Sequence, residues 1–409
     1  MSFRFRTVWF AFRALFLMAT TLALTACGGG GGSSAAAPTS STSSTSSTGP
    51  TIATYVTGEH PWGIAIDASG NVWVANYGNG TGATGTTTGD SNIMEFSSSG
   101  TLLNTYIAGS EPGAMAIDGS GNVWVPNWGN GIAGSAAGNS NIMELNSSGV
   151  KLGTDIAGVH PDFITIDGSG DAWVANWGAT GTSVAGTASG DSNIMKFSPT
   201  GANLGTYTAG VHPTSIAIDS TGNVWVVNNG NGTPGTATGD SNIMELSSSG
   251  TLLNTDVAGA YPVMIAIDGA GNMWVVNFGN GTPGTATGDS NVMEFSSSGT
   301  LLNTYVAGAY PYWLAIDGSG NVWVVDNGND TPGTATGDSN VMELSPSGTV
   351  LHTYIAGALP YAIAIDGSGN VWVPNWGNGT PGTASLESNL TEIMNSATGV
   401  LTPLVNQPK

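Results

Sequence analysis

The sequence predicts an all-β fold, a closed seven-bladed β-propeller whose blades are four-stranded antiparallel sheets, and three observations carry that prediction. One stretch, GIAIDASGNVWVAN at Gly63 to Asn76, is written seven times with small variations, and its Asp recurs as Asp67, Asp118, Asp167, Asp219, Asp268, Asp317 and Asp366. A Trp follows each Asp by six residues, at Trp73, Trp124, Trp173, Trp225, Trp274, Trp323 and Trp372, and the intervals between successive Asp are 51, 49, 52, 49, 49 and 49 residues. Self-similarity at a fixed period of about 50 marks propellers and solenoids, in which one supersecondary unit stacks on its own copies. Within each unit four short runs read as strands, and no helical period appears.

Residues 1–27 stand outside the repeats. Arg4, Arg6 and Arg13 precede or enter an apolar run, Ala14 to Leu24, which is too short to span a bilayer and has the pattern of a secretory signal. It ends in Leu24-Thr25-Ala26-Cys27, which resembles the lipobox of bacterial lipoproteins, and Cys27 is the single cysteine of the chain. The resemblance implies that Cys27 is acylated and becomes the new N-terminus. With Gly28 rather than Asp next to it, it also implies the outer membrane of the cell envelope. With Cys27 carrying lipid, no disulfide forms within the exported chain, so the fold rests on its apolar core. Residues 28–50, rich in Gly, Ser and Thr, read as a flexible tether that holds the domain about 25 Å from the bilayer.

Residues 51–409 are the propeller. In the first unit strand a is Ile64–Ile66 and strand b Val72–Val74, joined by the tight turn Asp67–Asn71; strand c is Asn92–Phe96 and strand d Leu102–Ile107, joined by Ser97–Gly100. Gly63 and Ala65 point one way and Ile64 and Ile66 the other, and later units keep a small residue at the Ala65 position. That is a thin side that accepts the thick side of the next blade, with the strand-b Trp as the thick component. Burying one Trp contributes about 4 to 6 kcal/mol before entropy. A d-type strand, Thr51 to Val56, precedes the first strand a, and the chain ends in a weaker copy, Val400 to Val405. One blade is therefore completed by both ends of the chain, and which of the two d segments pairs within it stays open.

Outside residues 1–27 the chain keeps 3 Lys against 27 Asp and Glu, a formal charge of −24. That excludes nucleic acid as a partner and disfavours anionic lipid surfaces, since both need Lys and Arg, and leaves the lipid anchor as the one membrane contact. Cations, neutral sugars and basic or aromatic small molecules remain open. A ring closed within one chain predicts a monomer.

The run PWGIAIDASGNVWVAN, with its Pro before strand a, its Asp-x-x-Gly-Asn turn and its aromatic strand b, resembles the NHL-repeat propellers and the related streptogramin (virginiamycin B) lyase propellers. The likeness covers Thr51 to Leu404 and implies the fold. It leaves scaffold, binding protein and enzyme open, because one fold hosts many functions. The unit here is longer than the usual NHL repeat by a Gly/Thr-rich insertion between strands b and c. The lyases imply Mg²⁺ with a His and a Glu, and no local motif of this chain matches theirs residue by residue.

Candidate site residues lie on the face that carries the d-to-a and b-to-c connections, because the other face carries only short turns repeated almost unchanged. The residue before each strand-a Pro reads His60, Glu111, His160, His212, Tyr261, Tyr310 and Leu359 around the ring. His60, Glu111, His160 and His212 suit a divalent cation, Mg²⁺ or Ca²⁺, or an acid and a base. Equally, each side chain packs the channel rim with its ring nitrogen on a backbone carbonyl. Just after strand b stand Tyr77, Trp128, Trp177, Phe278 and Trp376, and just after the Pro stand Trp62, Tyr312, Trp313 and Tyr361. These are either exposed rings for stacking on sugars and aromatic ligands or satellite cores under the long loops. Asp90, Asp191, Asp240, Asp289 and Asp338 close the b-to-c loops, where oxygens suit Ca²⁺ or cap ordinary turns. The turn Asp set, Asp67 to Asp366, and the Met-Glu pairs of strand c repeat too evenly for catalysis and read as structural. The functional expectation is a lipid-anchored module that binds a small molecule, a glycan or an envelope protein. The alternative is a streptogramin-lyase-like or metal-dependent hydrolytic enzyme working through the His/Glu set.

Overall fold

The computed structural model describes residues 50–79, 84–136, 138–179 and 184–400. The leader, Cys27 and all of the tether but Pro50 lie outside the described residues, as does the end of the expected strand Val400 to Val405. The described chain forms seven four-stranded antiparallel sheets. Blade 1 runs Pro61–Ile66, Val72–Asn76, Asn92–Phe96 and Leu102–Ile107 from the channel outward, as strands a to d. Each later blade repeats that order, and the ring closes in blade 7. There the outer strand is Ile52–Val56 from the N-terminal side, laid on Asn389–Ile393 with Ile52 opposite Ile393 and Val56 opposite Asn389.

Register explains the repeated residues. In blade 1 Ala65 stands opposite Trp73, and Trp73 opposite Glu95. Directly opposed residues share a face, so the small residue clears room for the indole of its own blade rather than for the blade next door. The next blade supplies the thick face: Ala217, Trp225 and Val227 of blade 4 pack on Ile265, Ile267, Met273 and Phe295 of blade 5. All seven Trp are at most 1% exposed. A buried indole needs an acceptor for its N–H, and the Asp six residues earlier provides it: Trp173 Nε1 donates to Asp167 Oδ2 at 2.9 Å, and Trp73 to Asp67 at 3.2 Å. The other oxygen of each Asp accepts turn amides, as from Ser69 and Asn71 to Asp67. One carboxylate thus pins a turn and a core ring, in every blade.

Blades 2 and 7 have a strand a of only two residues, Ala116–Ile117 and Ala364–Ile365. Their strand b carries Pro126 and Pro374 where other blades have Ala or Val. Gly113 N–H still donates to Pro126 O at 2.9 Å, but proline has no N–H to return the bond.

Candidate functional site

The residue before each strand-a Pro adopts a left-handed backbone in six blades: His60, Glu111, His160, His212, Tyr261 and Leu359 have φ between 50° and 56°. Non-glycine residues hold that region only where neighbours over-determine it. At Glu111 they do so from two blades. Its N–H donates to Ser91 Oγ of blade 1 at 3.2 Å, the same hydroxyl donates to Tyr77 O at 2.7 Å, and Glu111 O accepts from Trp128 N at 2.9 Å. The left-handed turn aims the side chain back at the preceding blade rather than inward.

Each side chain therefore lands in a blade interface. His60 stacks on Trp376 at 4.4 Å, His160 on Trp128 at 4.4 Å and His212 on Trp177 at 4.3 Å, always the post-strand-b aromatic of the blade before. Their Nδ1 atoms face the carbonyls of Gly78, Gly178 and Gly230 at 2.9, 3.1 and 3.4 Å. Tyr310 meets Phe278 at 4.9 Å in the same manner, and Glu111 takes the Tyr77 hydroxyl. Where the b-to-c loop carries Gly-Asn-Gly, its second Gly is the socket for this ring. A Cβ at Gly131 would come within 2.9 Å of His160 Nε2, and one at Gly379 within 2.7 Å of His60 Nε2. Where the ring is replaced by Leu359, the loop residue is Asp330 instead.

The convergence that would make a cation site of His60, Glu111, His160 and His212 is not found. Among the described residues no group of three or more His, Cys, Asp or Glu could hold a metal ion. Burial pushes the His60 imidazole below its ordinary pKa, against the pull of the Gly78 carbonyl, and raises the Glu111 carboxyl, against the Tyr77 hydrogen bond. The loop acids are engaged too: Asp240 Oδ2 accepts Ala237 N at 3.0 Å and Asp289 Oδ2 accepts Ala286 N at 3.1 Å, which makes them turn caps.

The structure also corrects the picture of an exposed aromatic platform. Trp62, Tyr361, Trp376 and Trp177 are only 5 to 7% exposed. Six rings from blades 5, 6, 7 and 1 form a continuous arc, with Phe278 to Tyr312 at 6.4 Å, Tyr312 to Tyr361 at 4.5 Å, Tyr361 to Trp376 at 5.1 Å, Trp376 to Trp62 at 6.0 Å and Trp62 to Tyr77 at 5.5 Å. Tyr77, Tyr312 and Phe278 remain half-buried and offer the ring faces that solvent reaches.

At the channel itself Trp62, Tyr312 and Trp313, which the sequence singled out, meet residues it did not: Phe163, Val263, Asp162 and Thr214. Phe163 of blade 3 and Trp313 of blade 6 meet across the axis at 5.6 Å and plug it. Above the plug a small pocket gathers Trp62, Tyr312 and Val263 with Asp162 and Thr214. Below it an apolar cavity of about 170 Å³ is ringed by the strand-a small residues and their Ile neighbours. Asp162 and Thr214 follow the Pro by one residue, a position that takes six residue types in seven blades (Trp62, Gly113, Asp162, Thr214, Val263, Tyr312, Tyr361). That variation is the signal that marks them.

Repeat and rim together define a seven-bladed propeller built on an NHL-like unit. The NHL repeat model matches residues 59–81, the first slot with strands a and b. No curated protein matches the sequence. Among solved structures the chain is similar to a streptogramin B lyase, at 16% identity and a TM-score of 0.59, over 83% of this chain and 97% of that one. It is similar to a catalytically inactive virginiamycin B lyase from Staphylococcus aureus with quinupristin, at 16% identity and 0.60, over 84% and 98%. A third likeness, to the extracellular domain of the hybrid two-component system BT3049 from B. thetaiotaomicron, has 14% identity and a TM-score of 0.55 over 85% and 41%. At such identities the likeness carries the fold alone.

Proposed function

We propose that the chain is an exported, lipid-anchored protein of the cell envelope that binds a small ring-bearing molecule, a glycan or an aromatic compound, at the mouth of its channel. The supporting observation is the asymmetry of that mouth. The half-buried rings of Tyr312 and Trp313 stand with the buried Trp62 on one side, and Asp162 and Thr214 stand opposite. The pocket between them holds only about 20 Å³, so the ligand stacks on the rings at its lip with the polar groups in reach, as rings of this kind stack on sugars and aromatics. The leader with Cys27 supports export and anchoring. Titration of the purified protein with methyl glycosides and with quinupristin, followed by tryptophan fluorescence, tests the reading. Saturable binding of one probe that weakens at least tenfold in both Tyr312→Ala and Asp162→Asn is expected. Binding that both variants leave unchanged overturns it.

The enzymatic alternative rests on the likeness in fold to streptogramin lyases. Incubation with quinupristin and Mg²⁺, with products followed by mass spectrometry, addresses it. Turnover that disappears in His160→Ala and Glu111→Gln would put that reading first. His60, His160 and His212 stacked in separate interfaces speak for the binding module.

A further inference from the structure

A second, unrelated site lies on the outer wall between blades 2 and 3. Strand d of most blades carries a tyrosine whose ring lies flat on its own strand-b Trp: Tyr106 on Trp73 at 5.3 Å, Tyr207 on Trp173 at 5.5 Å, Tyr305 on Trp274 at 5.4 Å, Tyr354 on Trp323 at 5.3 Å. Tyr106, Tyr207 and Tyr305 also cover the c-to-d turn of the next blade, at Gly149, Gly250 and Gly348, where a Cβ would strike the ring at 2.0 Å or less. In blades 2 and 4 the tyrosine is replaced by Asp155 and Asp256.

The two replacements are not equivalent. Asp256 keeps both carboxylate oxygens on Asn254 Nδ2 at 3.0 Å. Blade 2 has Gly153 at the position of Asn254, and the donor is gone. Among the described residues Asp155 Oδ2 and the adjacent Thr154 Oγ1 are buried with no hydrogen-bond partner. A groove of about 480 Å³ opens at the same place. It has Ala157, Met195 and Phe197 as its apolar floor and Asp155 at its edge. Lys196, the one lysine on a strand c, is spent on Asp167 at 3.1 Å and Asp171 at 2.8 Å in blade 3, and Lys151 stands at the far end of the strand that carries Asp155.

We infer that this groove is a binding site for an arylammonium ion, a tyrosine-sized ring carrying a primary amine, which restores the missing ring and supplies the missing donor. The ring lies over Met195, and the ammonium donates to Asp155 Oδ2. A neutral ring lacks the donor, and a bare cation leaves the apolar floor wet; the groove selects the combination. Burial pushes the Asp155 carboxyl upward, and burial, with Asp118 and Asp155 beside it, raises Glu144 to about 7. An ammonium at Asp155 reverses both tendencies.

Tyramine is the probe, measured by calorimetry on the purified protein at pH 7.5. Saturable one-site binding is expected, with 4-methylphenol at least tenfold weaker. Asp155→Asn should weaken tyramine at least tenfold. Asp155→Tyr refills the groove with the ring that other blades carry, so it should abolish binding while raising the melting temperature. Asp256→Asn should bind tyramine as the parent does. No binding of tyramine at millimolar concentration, equal binding by Asp155→Tyr, or loss of binding in Asp256→Asn would each overturn the assignment.

Discussion

Asp326 is where a single atom change in an otherwise constant position alters the chemistry of a blade. The other six blades end strand b in Asn, whose Nδ2 donates to the Asn that opens strand c, as Asn277 does to Asn291 Oδ1 at 2.8 Å. In blade 6 Asp326 stands opposite Asn340, and Asn340 Oδ1 is left buried without a donor. The carboxylate instead takes the amides of Ala309 and Tyr310 at 2.9 and 2.6 Å. The left-handed residue of that d-to-a loop is accordingly Gly308 rather than Tyr310. Burial raises the Asp326 carboxyl to about 6, against the three amides that hold it. A raised folded pKa means that the folded state binds the proton more tightly. The contribution is fully present below the unfolded carboxyl value and is lost as pH rises through about 6. Asp326→Asn should therefore gain stability over the parent as pH rises from about 4 to about 6 and keep that gain above it, by up to about 3 kcal/mol. A difference in melting temperature independent of pH would count against it. The sequence displays the Asp but not its cost, because only the fold makes the position fully buried.

At the scale of the element, the unit of stability is the joint between blades. In blades 1, 3 and 6 the slot ring, the aromatic after strand b of the blade before and the loop glycine between them make a three-part lock. His60, Trp376 and Gly379 form it at the seam between blades 1 and 7. His60→Ala should cost about 1–2 kcal/mol through the lost ring contact and the hydrogen bond to Gly78 O. The depressed folded pKa of His60 makes its contribution present above the unfolded imidazole value and lost as pH falls below it. The gap between variant and parent should shrink from pH 7.5 to pH 5, as read in urea midpoints. Gly131→Ala, which drives a methyl to within 2.9 Å of His160 at a left-handed φ of 78°, should lower the midpoint as well. The sequence made the slot visible through its periodic Pro and identified the residues that fill it. It did not say which way they point, since a left-handed φ before proline is set by a serine hydroxyl some 20 residues away, as Ser91 is from Glu111. The same concealment hid the mouth. Asp162 and Thr214 look like ordinary strand residues until the ring closes and brings them beside Tyr312.

For the whole molecule, the decisive bond set is the one that joins the two ends of the chain. Blade number and the participation of both termini were legible from the count of strand-like runs, because the period stays near 50 and the first run precedes a complete unit. The choice between the two d segments was not legible, because both have strand-like sequences. Hydrogen bonds decide it. Ile52–Val56 spends its backbone on a five-pair ladder with Asn389–Ile393, and Val400, the described residue of the C-terminal segment, donates its N–H to Asp366 O at 3.2 Å instead. Tyr55 adds its hydroxyl to Glu392 at 2.6 Å across the same seam. If that seam holds the ring shut, a covalent bond across it should act on the unfolded chain far more than on the fold. Thr54 and Thr391 are directly opposed in the ladder, the geometry at which facing cysteines bridge with little backbone movement. Thr54→Cys with Thr391→Cys closes a loop of nearly the whole propeller. The oxidised form should exceed the reduced form of the same variant by about 3–5 kcal/mol in chemical denaturation, with little change in the native circular dichroism. Comparing the two redox states of one variant cancels the loss of the Asn375 bond to the Thr391 hydroxyl. Failure of the pair to oxidise in the native state would place the closing strand elsewhere.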